Sequence, residues 1–381
     1  MPVLRVVIAP DSFKGTADAG SVARSLAEGW RAERPQDDVT CLPMADGGEG
    51  TLDAFEEAWP GSIRMPVTVT GPDDHVFEAS WLLLPGPETD ADADAATGGT
   101  AVVELASTSG ITLLHPLRPL EAHSLGFGQA VRAALAHGVD RLLLAIGGSA
   151  STDGGAGVLT ALGARFLDAE GRTVPFGNIG LGDIERVEFD ALVELPPGGA
   201  VVMSDVVNPL LGRHGAVTVY GPQKGLGEGL QRDAERRLAR FAQLVEDDRG
   251  TDPAAPGAGA AGGVGFGLLS WGAELVPGSA AVAGALGLAD VVSGADLVIT
   301  GEGRYDHQSE SGKTASHVRD AAAAAGARTA LVAGAIEAEP RAFDEWLALT
   351  DVDVAGSREA AAADPHRWLA EAARRLAAAR P

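Results

Sequence analysis

The chain has 381 residues, of which 45% are hydrophobic and 22% charged, and its formal net charge is −24. That length predicts two domains, and the acidic balance excludes a nucleic-acid binder, which needs a basic face for the phosphate backbone. The single Cys41 excludes an internal disulfide, and no apolar stretch reaches membrane-spanning length, so we expect a cytoplasmic protein without a membrane partner.

The first sixty or so residues predict the succession βαβα. LRVVIA is a strand that stops at Pro10, and a helical pattern follows from about Thr16 to Arg34. VTCLPM predicts a second strand, which ends at the turn ADGGEGT before the helical segment LDAFEEAW.

The middle of the chain has a different character. MPVTVTGPDDHVFEASWLLL predicts a hairpin, and PGPETDADADAATGG predicts a solvated acidic loop after it. TAVVELA, RLLLAIGG, AVVMSDV and AVTVYG predict further strands, with helical segments between them.

The α/β alternation returns near the C terminus. ADLVIT predicts a strand, a helix follows from about Ala315 to Ala325, and TALVAGA predicts the next strand. A helical pattern in RAFDEWLAL, a strand at DVDVAG and a terminal helix in REAAAADPHRWLAEAARRLAAA complete the chain. We therefore predict an α/β protein in which both termini form one doubly wound parallel sheet. A second α/β domain is inserted between about residues 66 and 290, and the cleft between the domains is the default ligand site.

The only three lysines, Lys14, Lys224 and Lys313, each stand beside a glycine. Ligands of doubly wound sheets bind outside the carboxyl ends of the strands, and PDSFKG, ADGGEG and GEGRYDHQSESGK each follow a predicted strand directly. Asp11, Ser12 and Lys14 would then lie at a helix entrance, where N–H groups and the helix dipole favour an anion. The alternative is an ordinary N-cap formed by Asp11 or Ser12.

Two turns carry candidate carboxylates. ADGGEGT holds Asp46 and Glu49 around Gly47 and Gly48, and such oxygen ligands suit Mg²⁺. The alternative is a tight turn whose carboxylate interacts with the dipole of the next helix. In MSDVVNPLLG, Asp205 stands at a strand end, where it could deprotonate an alcohol, hold Mg²⁺ or merely cap a turn.

A glycine-rich loop, AIGGSASTDGGAG, places Gly147, Gly148, Ser149 and Asp153 between a strand and a helix. Its N–H groups can form an anion nest, and tight helix–strand packing is the alternative reason for the glycines. SESGKT resembles the end of a Walker A loop but has His307 where that motif needs glycine, and GAGAAG follows a loop instead of a strand. Anion loops, lysines and strand-end carboxylates together favour phosphoryl transfer.

Eight motifs, spanning positions 8 to 313, resemble those of the bacterial type I glycerate kinases in the family's order: IAPDSFKGT, ADGGEGT, GGSASTDGGAG, DVVNPLLG, GPQKG, GAGAAGGVGFGLL, GAELVPG and DLVITGEGRYDHQSESGK. The resemblance implies phosphorylation of D-glycerate to a phosphoglycerate with ATP and Mg²⁺. It also implies a two-domain α/β fold with one flavodoxin-like domain and the active site in the cleft. Together with the interrupted sheet predicted above, this assigns residues 1–65 and 291–381 to the flavodoxin-like domain and residues 66–290 to the inserted domain.

The resemblance also suggests roles for the candidate residues. We predict that Mg²⁺ is held by carboxylates among Asp46, Glu49, Glu302 and Asp306. Phosphate and substrate would be bound by Asp11, Ser12, Lys14, Gly47, Gly48, Lys224, Arg304 and Lys313, and the backbone of Gly147, Gly148 and Ser149 would cradle an oxyanion. Asp205 is the first choice for the base that takes the glycerate proton, and Asp153 the second.

Some positions depart from the family pattern, which has asparagine at Thr152, a second aspartate at Val207, and threonine and tyrosine within residues 122–125. These departures keep two alternatives open: a nucleotide- or phosphate-sensing binding protein on the same scaffold, and a kinase of a related small hydroxy acid. The sequence also leaves open whether the product is 2-phosphoglycerate or 3-phosphoglycerate, and whether the chain forms a homodimer.

Overall fold

The computed structural model describes residues 2–84, 86, 98–307, 309–310 and 313–380. The chain divides into two compact units, the first formed by Met1–Asp46, Asp53–Pro60 and Gly278–Pro381, the second by Gly47–Leu52 and Gly61–Pro277. These compact units are groups of residues that contact one another, and they do not show which segments fold independently. The predicted domain boundaries therefore stay a prediction. The predicted acidic loop lies almost entirely outside the described residues.

The secondary structure alternates as an α/β chain should. In chain order the strands are β1 Arg5–Ile8, β2 Asp38–Cys41, β3 Ile63–Thr70, β4 Val76–Leu84, β5 Thr100–Glu104, β6 Arg141–Ala145, β7 Arg165–Leu167, β8 Arg186–Glu188, β9 Ala200–Met203, β10 Glu274–Val276, β11 Leu297–Tyr305, β12 Arg328–Ile336 and β13 Glu345–Ala348. The helices are α1 Ala19–Glu33, α2 Thr51–Ala58, α3 Ala106–Ser109, α4 Leu125–His137, α5 Ala156–Ala161, α6 Asn178–Leu181, α7 Ala216–Tyr220, α8 Glu228–Arg249, α9 Val264–Trp271, α10 Gly278–Ala285, α11 Leu288–Val292, α12 Thr314–Ala324, α13 Arg358–Ala363 and α14 Pro365–Ala378. Over the described part of the chain, none of these helices is long and apolar enough to cross a membrane.

The first unit contains a five-stranded sheet in the order β13-β12-β11-β1-β2, and every pairing in it is parallel. Counted within the unit, this order is 2-1-3-4-5, the order of the flavodoxin-like doubly wound fold. Val332 packs in a cluster with residues of α1 and α14, whereas Leu331 packs with Ala315 of α12. Because neighbouring residues of a strand point to opposite faces, helices cover both faces of the sheet, which confirms the predicted fold class.

The second unit contains a six-stranded mixed sheet in the order β10-β9-β6-β5-β4-β3. Strands β3, β4 and β5 pair antiparallel, and β5, β6, β9 and β10 pair parallel. The predicted hairpin is confirmed as β3 and β4, closed by the Gly71 N–H, which donates to the His75 carbonyl at 2.7 Å. Strand β6 ends at the glycine-rich loop and β9 ends before Asp205, so both segments leave the same edge of neighbouring parallel strands.

Two predicted elements were wrong. The β-branched run AVTVYG is the short helix α7, in which Val219 N–H donates to the carbonyl of Gly215, and the buried Ala216 and Val217 pack into the core. The segment RAFDEWLAL has apolar residues at a helical spacing, but its second half is β13, which pairs with β12 from Ala330↔Glu345 to Ala333↔Ala348. Pairing with a neighbouring strand therefore outweighs the local pattern.

The remaining C-terminal segments also differ from the prediction. DVDVAG is a turn and not a strand, because the Asp351 carbonyl accepts from the N–H groups of Val354 and Gly356. The terminal helix is broken into α13 and α14 at Asp364, whose side chain accepts from the Arg367 N–H while Pro365 begins α14. The N–H of a first helical residue has no acceptor within the helix, so proline, which lacks this N–H, is tolerated at that position. Pro365 therefore starts a new helix instead of continuing α13.

Candidate active site

A cavity of about 540 Å³ lies at the carboxyl edge of the parallel sheet in the first unit. Ten of its charged and hydroxyl-bearing lining residues follow β1, lie near the end of β11, begin α12 or precede the second unit's first segment. They are Asp11, Ser12, Lys14, Thr16, Asp46, Glu302, Arg304, Asp306, Lys313 and Thr314, and Thr350 and Arg358 line the cavity farther along the chain. The carboxyl edge is where ligands of this fold bind. The structure thus brings most of the predicted phosphate and metal residues together in one cavity.

Asp11, Lys14 and Asp46 form a charged cluster in this cavity. The Lys14 ammonium lies 3.1 Å from a carboxylate oxygen of Asp46, and this neighbour raises the pKa of Lys14. Asp11 accepts from its neighbour Ser12 N–H at 2.6 Å and from the Thr314 hydroxyl at 3.0 Å. Burial, with the Asp46 charge added, raises the pKa of Asp11 to about 6. The cluster thus holds more negative charge than its surroundings easily neutralise, which favours a cation as a ligand.

Glu302 is a second carboxylate in the cavity whose charged form is disfavoured. Its Oε2 accepts from the Ser309 hydroxyl at 3.0 Å, whereas its buried Oε1 has no hydrogen-bond partner among the described residues. Burial raises the pKa of Glu302 to about 7, and the nearby Asp11 and Asp306 add to the effect. A buried oxygen without a donor costs free energy that a bound cation would recover.

Arg304 and Lys313 supply the other positive charges at this end of the cavity. The Arg304 guanidinium lies 3.3 Å from Asp306 and 3.9 Å from Glu337. Within the described ranges, no group of three or more histidine, cysteine, aspartate or glutamate side chains is placed to hold a metal by itself. Mg²⁺ usually takes only one or two carboxylates and completes its shell with phosphate oxygens and water, so it does not need such a group.

The predicted helix entrance at Asp11 and Ser12 was wrong. Helix α1 begins only at Ala19, and Asp18 caps it by accepting from the Ser21 N–H at 2.7 Å. Neither Asp11 nor Ser12 is therefore an N-cap of α1, and the intervening chain forms a tight loop in which Phe13 bridges to Ala17. The anion-binding argument for this segment then depends on Lys14 and the strand edge and not on a helix dipole.

The predicted glycines of ADGGEG and of the glycine-rich loop lie against each other in the second unit. The Gly147 N–H donates to the Gly47 carbonyl at 3.0 Å, and a Cβ on Gly147 would stand 2.6 Å from the Gly48 Cα. Only glycine permits so close an approach of two backbones. Packing thus accounts for Gly47, Gly48 and Gly147, and the Gly147 N–H is already used. Glu49 on the same turn is exposed.

Asp153 is fully buried and organises the glycine-rich loop. Its Oδ2 accepts from the N–H and the hydroxyl of Ser124 and from the Gly157 N–H, at 2.9, 2.8 and 3.2 Å. Its Oδ1 accepts from the Ser151 hydroxyl at 3.0 Å and the Gly155 N–H at 3.2 Å. A buried carboxylate that accepts five hydrogen bonds from this loop and from Ser124 holds the loop in place and is not accessible to a substrate.

Lys224 is also buried in the second unit, with 3% of its surface exposed. Its ammonium donates to the Ser151 carbonyl at 2.5 Å and to the Ser149 hydroxyl at 3.3 Å. The Ser149 hydroxyl in turn donates to the carbonyl of Ala261, whose φ of 54° is rare for a residue with a side chain. Lys224 thus fastens the glycine-rich loop to the turn at Ala261, and its predicted role toward phosphate stays a prediction.

Because Lys224 is buried, we expect the stability of the protein to depend on its titration. Burial lowers the pKa of this lysine from 10.5 to about 7, although the charge of Asp153 acts in the opposite direction. Above that pH the folded chain has released a proton that the unfolded chain still holds, so stability should rise with pH up to about 10.5.

Denaturant unfolding of the wild type and of Lys224→Met at pH ~7 and pH ~9 measures this effect. The wild type should gain about 1–2 kcal/mol relative to the variant over that interval. An equal pH dependence in both proteins would show that Lys224 is protonated in the folded state throughout.

Asp205, the predicted base, is exposed at the end of β9 in the second unit. Val207, where the family pattern has a second aspartate, is 73% exposed. Thr152 lies buried in the glycine-rich loop, and its hydroxyl has no partner among the described residues. Of the two carboxylates predicted as base, only Asp205 is thus accessible to a substrate.

The sequence analysis did not single out several residues that line the cavity or fix its carboxylates. The Thr314 hydroxyl contacts Asp11, and the Ser309 hydroxyl contacts Glu302. Thr314 directly follows Lys313 in GKT, so its position was a usable signal. The cavity also has a wall of mainly aliphatic residues, which no sequence motif marks as part of a site. These residues are Gly334, Ala335, Leu349, Thr350, Ala361, Ala362 and Pro365.

Comparisons with known proteins agree with this geometry. A sequence profile of the glycerate kinase family matches residues 6–380. The chain is 38% identical to a glycerate kinase of Halalkalibacterium halodurans, over 87% of this chain and 85% of the relative, and 38% identical to the glycerate 2-kinase of Escherichia coli K12, over 81% and 80%. A crystal structure of a protein provisionally named glycerate kinase 2, from Salmonella typhimurium LT2, matches with a TM-score of 0.83 and 36% identity, covering 99% of this chain and 98% of that one. The chain therefore belongs to the glycerate kinase family and is a kinase.

Proposed function

We propose that the protein transfers the γ-phosphate of ATP to the 2-hydroxyl of D-glycerate, giving 2-phosphoglycerate. The cavity of the first unit carries the proposal, because it places Lys14, Arg304 and Lys313 beside strand-end carboxylates at the ligand-binding edge of the sheet. The choice of the 2-hydroxyl is supported by the relative from Escherichia coli, which is named glycerate 2-kinase.

The cavity also fits Mg²⁺. Asp46, Glu302 and Asp306 offer hard carboxylate oxygens, and the Oε1 of Glu302 is buried without a donor among the residues described. A bound Mg²⁺ would neutralise charge on the β- and γ-phosphates. Glu49, the fourth predicted ligand, is exposed on the turn of the second unit, and the cavity lining does not include it.

The cations of the cavity have a separate role in the proposal. Lys14 and Lys313 bind phosphate oxygens as compact charges with rotatable donors, and Arg304 adds a planar guanidinium. Asp11 holds Thr314 and Ser12 through its two oxygens, so it positions the segments that carry Lys14 and Lys313. Positioning and charge neutralisation are the main protein contributions to phosphoryl transfer.

We assign the base to Asp205 and a positioning role to Asp153. Asp205→Asn should lower kcat roughly 10²-fold, since an amide cannot take the proton of the attacking hydroxyl. Steady-state kinetics at saturating ATP and D-glycerate measures this change, and thermal unfolding should be unaltered because Asp205 is exposed. Asp183→Asn, another exposed carboxylate of the second unit, is the matched control. A kcat near the wild-type value in Asp205→Asn would refute the assignment.

A coupled ATP-consumption assay with Mg²⁺ and D-glycerate, with the product identified by phosphorus NMR, tests the function as a whole. We expect ATP consumption that requires glycerate and a single product, 2-phosphoglycerate. Formation of 3-phosphoglycerate would overturn the regiochemistry alone. Faster turnover of another small hydroxy acid than of D-glycerate would overturn the substrate assignment.

A further inference from the structure

One end of the cavity in the first unit has no part in the proposed phosphate chemistry. It is a wall of aliphatic side chains from Ala335, Leu349, Ala361, Ala362 and Pro365. Ala335 lies near the end of β12, Leu349 directly follows β13, and the other three residues belong to α13 and to the first position of α14. We refer to this set of five residues as the apolar wall.

The apolar wall and the charged residues occupy different stretches of the same sheet edge. Most of the charged residues follow β1 or lie on and after β11, in the middle of the sheet, and Asp46 follows β2. The apolar wall lies at β12, β13 and the helices that follow β13, where Arg358 is the one charged residue of the described lining that PDSFKG, ADGGEG and GEGRYDHQSESGK do not supply. A ligand that fills the cavity must therefore be charged at one end and apolar at the other. A triphosphate alone does not satisfy this condition, because an anion against aliphatic side chains loses hydration without gaining a partner.

We propose that the apolar wall binds the purine base of the nucleoside triphosphate, with the phosphates directed toward Lys14 and Lys313. The inference rests on the proposed function and adds the direction in which the nucleotide lies, from β13 to β1 across the carboxyl edge. A cavity of about 540 Å³ is within the usual range of small-molecule sites, roughly 300–1,000 Å³. Contact with aliphatic side chains removes the apolar surface of a flat heteroaromatic base from water and so favours binding of the base. The charged phosphates have no comparable apolar surface.

Arg358 completes this end of the cavity. It is the first residue of α13, lines the cavity, and pairs with Glu337 at 3.3 Å through an exposed guanidinium. A planar guanidinium stacks readily on an aromatic face. Arg358 precedes Ala361 and Ala362 by about one helical turn on α13, so its guanidinium lies beside the apolar wall and is available to stack on the base.

Two neighbouring alanines of α13 allow a matched test. Ala362 and Ala363 are both exposed residues of this helix, but only Ala362 lines the cavity. Leucine at position 362 takes up space that the base needs, so Ala362→Leu should raise the Kd of ADP, measured by titration calorimetry, roughly tenfold. Ala363→Leu should bind ADP like the wild type, and both variants should keep the wild-type thermal midpoint and KM for D-glycerate.

A second measurement needs no variant. The wild type should bind ADP at least about tenfold more tightly than inorganic pyrophosphate, because only ADP offers a base to the apolar wall. Equal affinities for the two ligands would overturn the inference, as would wild-type ADP binding in Ala362→Leu or an equal loss of binding in both leucine variants. In each of those cases the proposed function still stands if ATP is consumed with D-glycerate. A wild type that neither binds ADP nor consumes ATP would refute both.

Discussion

Replacing Asp153 with alanine is expected to lower the free energy of unfolding by about 3–5 kcal/mol, because it strands buried donors. The carboxylate is fully buried and accepts five hydrogen bonds, two from Ser124 and one each from Ser151, Gly155 and Gly157. Without it, the N–H groups of Ser124, Gly155 and Gly157 lose an acceptor in a place that water does not reach. The ammonium of Lys224 would also lose its nearby negative charge.

Denaturant unfolding followed by circular dichroism measures the loss, and Asp153→Asn is the graded control. An amide keeps one acceptor oxygen but turns an NH₂ group toward donors, so its loss should be smaller than that of alanine. A stability change in Asp153→Ala below about 1 kcal/mol, the usual net contribution of a single hydrogen bond, would contradict the positioning role.

Replacing Lys14 with methionine is expected to lower kcat/KM for ATP by about 10²–10³-fold while leaving stability nearly unchanged. The side chain is 74% exposed and its pair with Asp46 spans 3.1 Å, so the pair contributes at most about 0.5–1 kcal/mol to folding. Its charge matters instead when phosphate enters the cavity, since no other lysine lies on the loop that follows β1. Steady-state kinetics and thermal unfolding on the same preparation separate the two effects.

Arg24 provides a matched control for Lys14 in the same unit. Its guanidinium is 62% exposed and lies 3.0 Å from Glu57, but Arg24 does not line the cavity. Arg24→Met should therefore keep kcat/KM within about twofold, as is usual for exposed pairs outside a site. Equal losses in Lys14→Met and Arg24→Met would indicate a general effect of removing surface charge and would exclude a specific role for Lys14.

The parallel sheet of the first unit could be predicted from sequence because its strands are buried on both faces and read as continuous apolar runs. Val6, Val7 and Ile8 of β1 and Leu297, Val298 and Ile299 of β11 are all at most 2% exposed. Strand β13 lacks this signal, since it is a sheet edge with a 40% exposed Trp346. Residues 345–348 form a strand because they pair with β12, and the local sequence pattern does not indicate this pairing.

The charged residues of the cavity could be predicted from their positions relative to the predicted strands. Asp11, Lys14 and Glu302 stand at or just beyond the ends of neighbouring parallel strands, and the fold brings such positions to one edge. Asp153 and Lys224 were not predictable in their actual surroundings, because lysines and aspartates are almost always exposed unless paired. Their burial depends on contacts such as that of Lys224 with Ser151, 73 positions earlier, which sequence spacing does not indicate.

The order of strands in the first unit constrains how the chain can fold during synthesis. Strand β1 lies in the interior of its sheet, but its partner β11 begins only at Leu297, and β12 and β13 come later still. The second unit is nearly contiguous from Gly61 to Pro277, so it can acquire its native contacts while β1 still lacks its second neighbour, β11. On the ribosome, β1 therefore has one unpaired hydrogen-bonding edge until most of the polypeptide has been made.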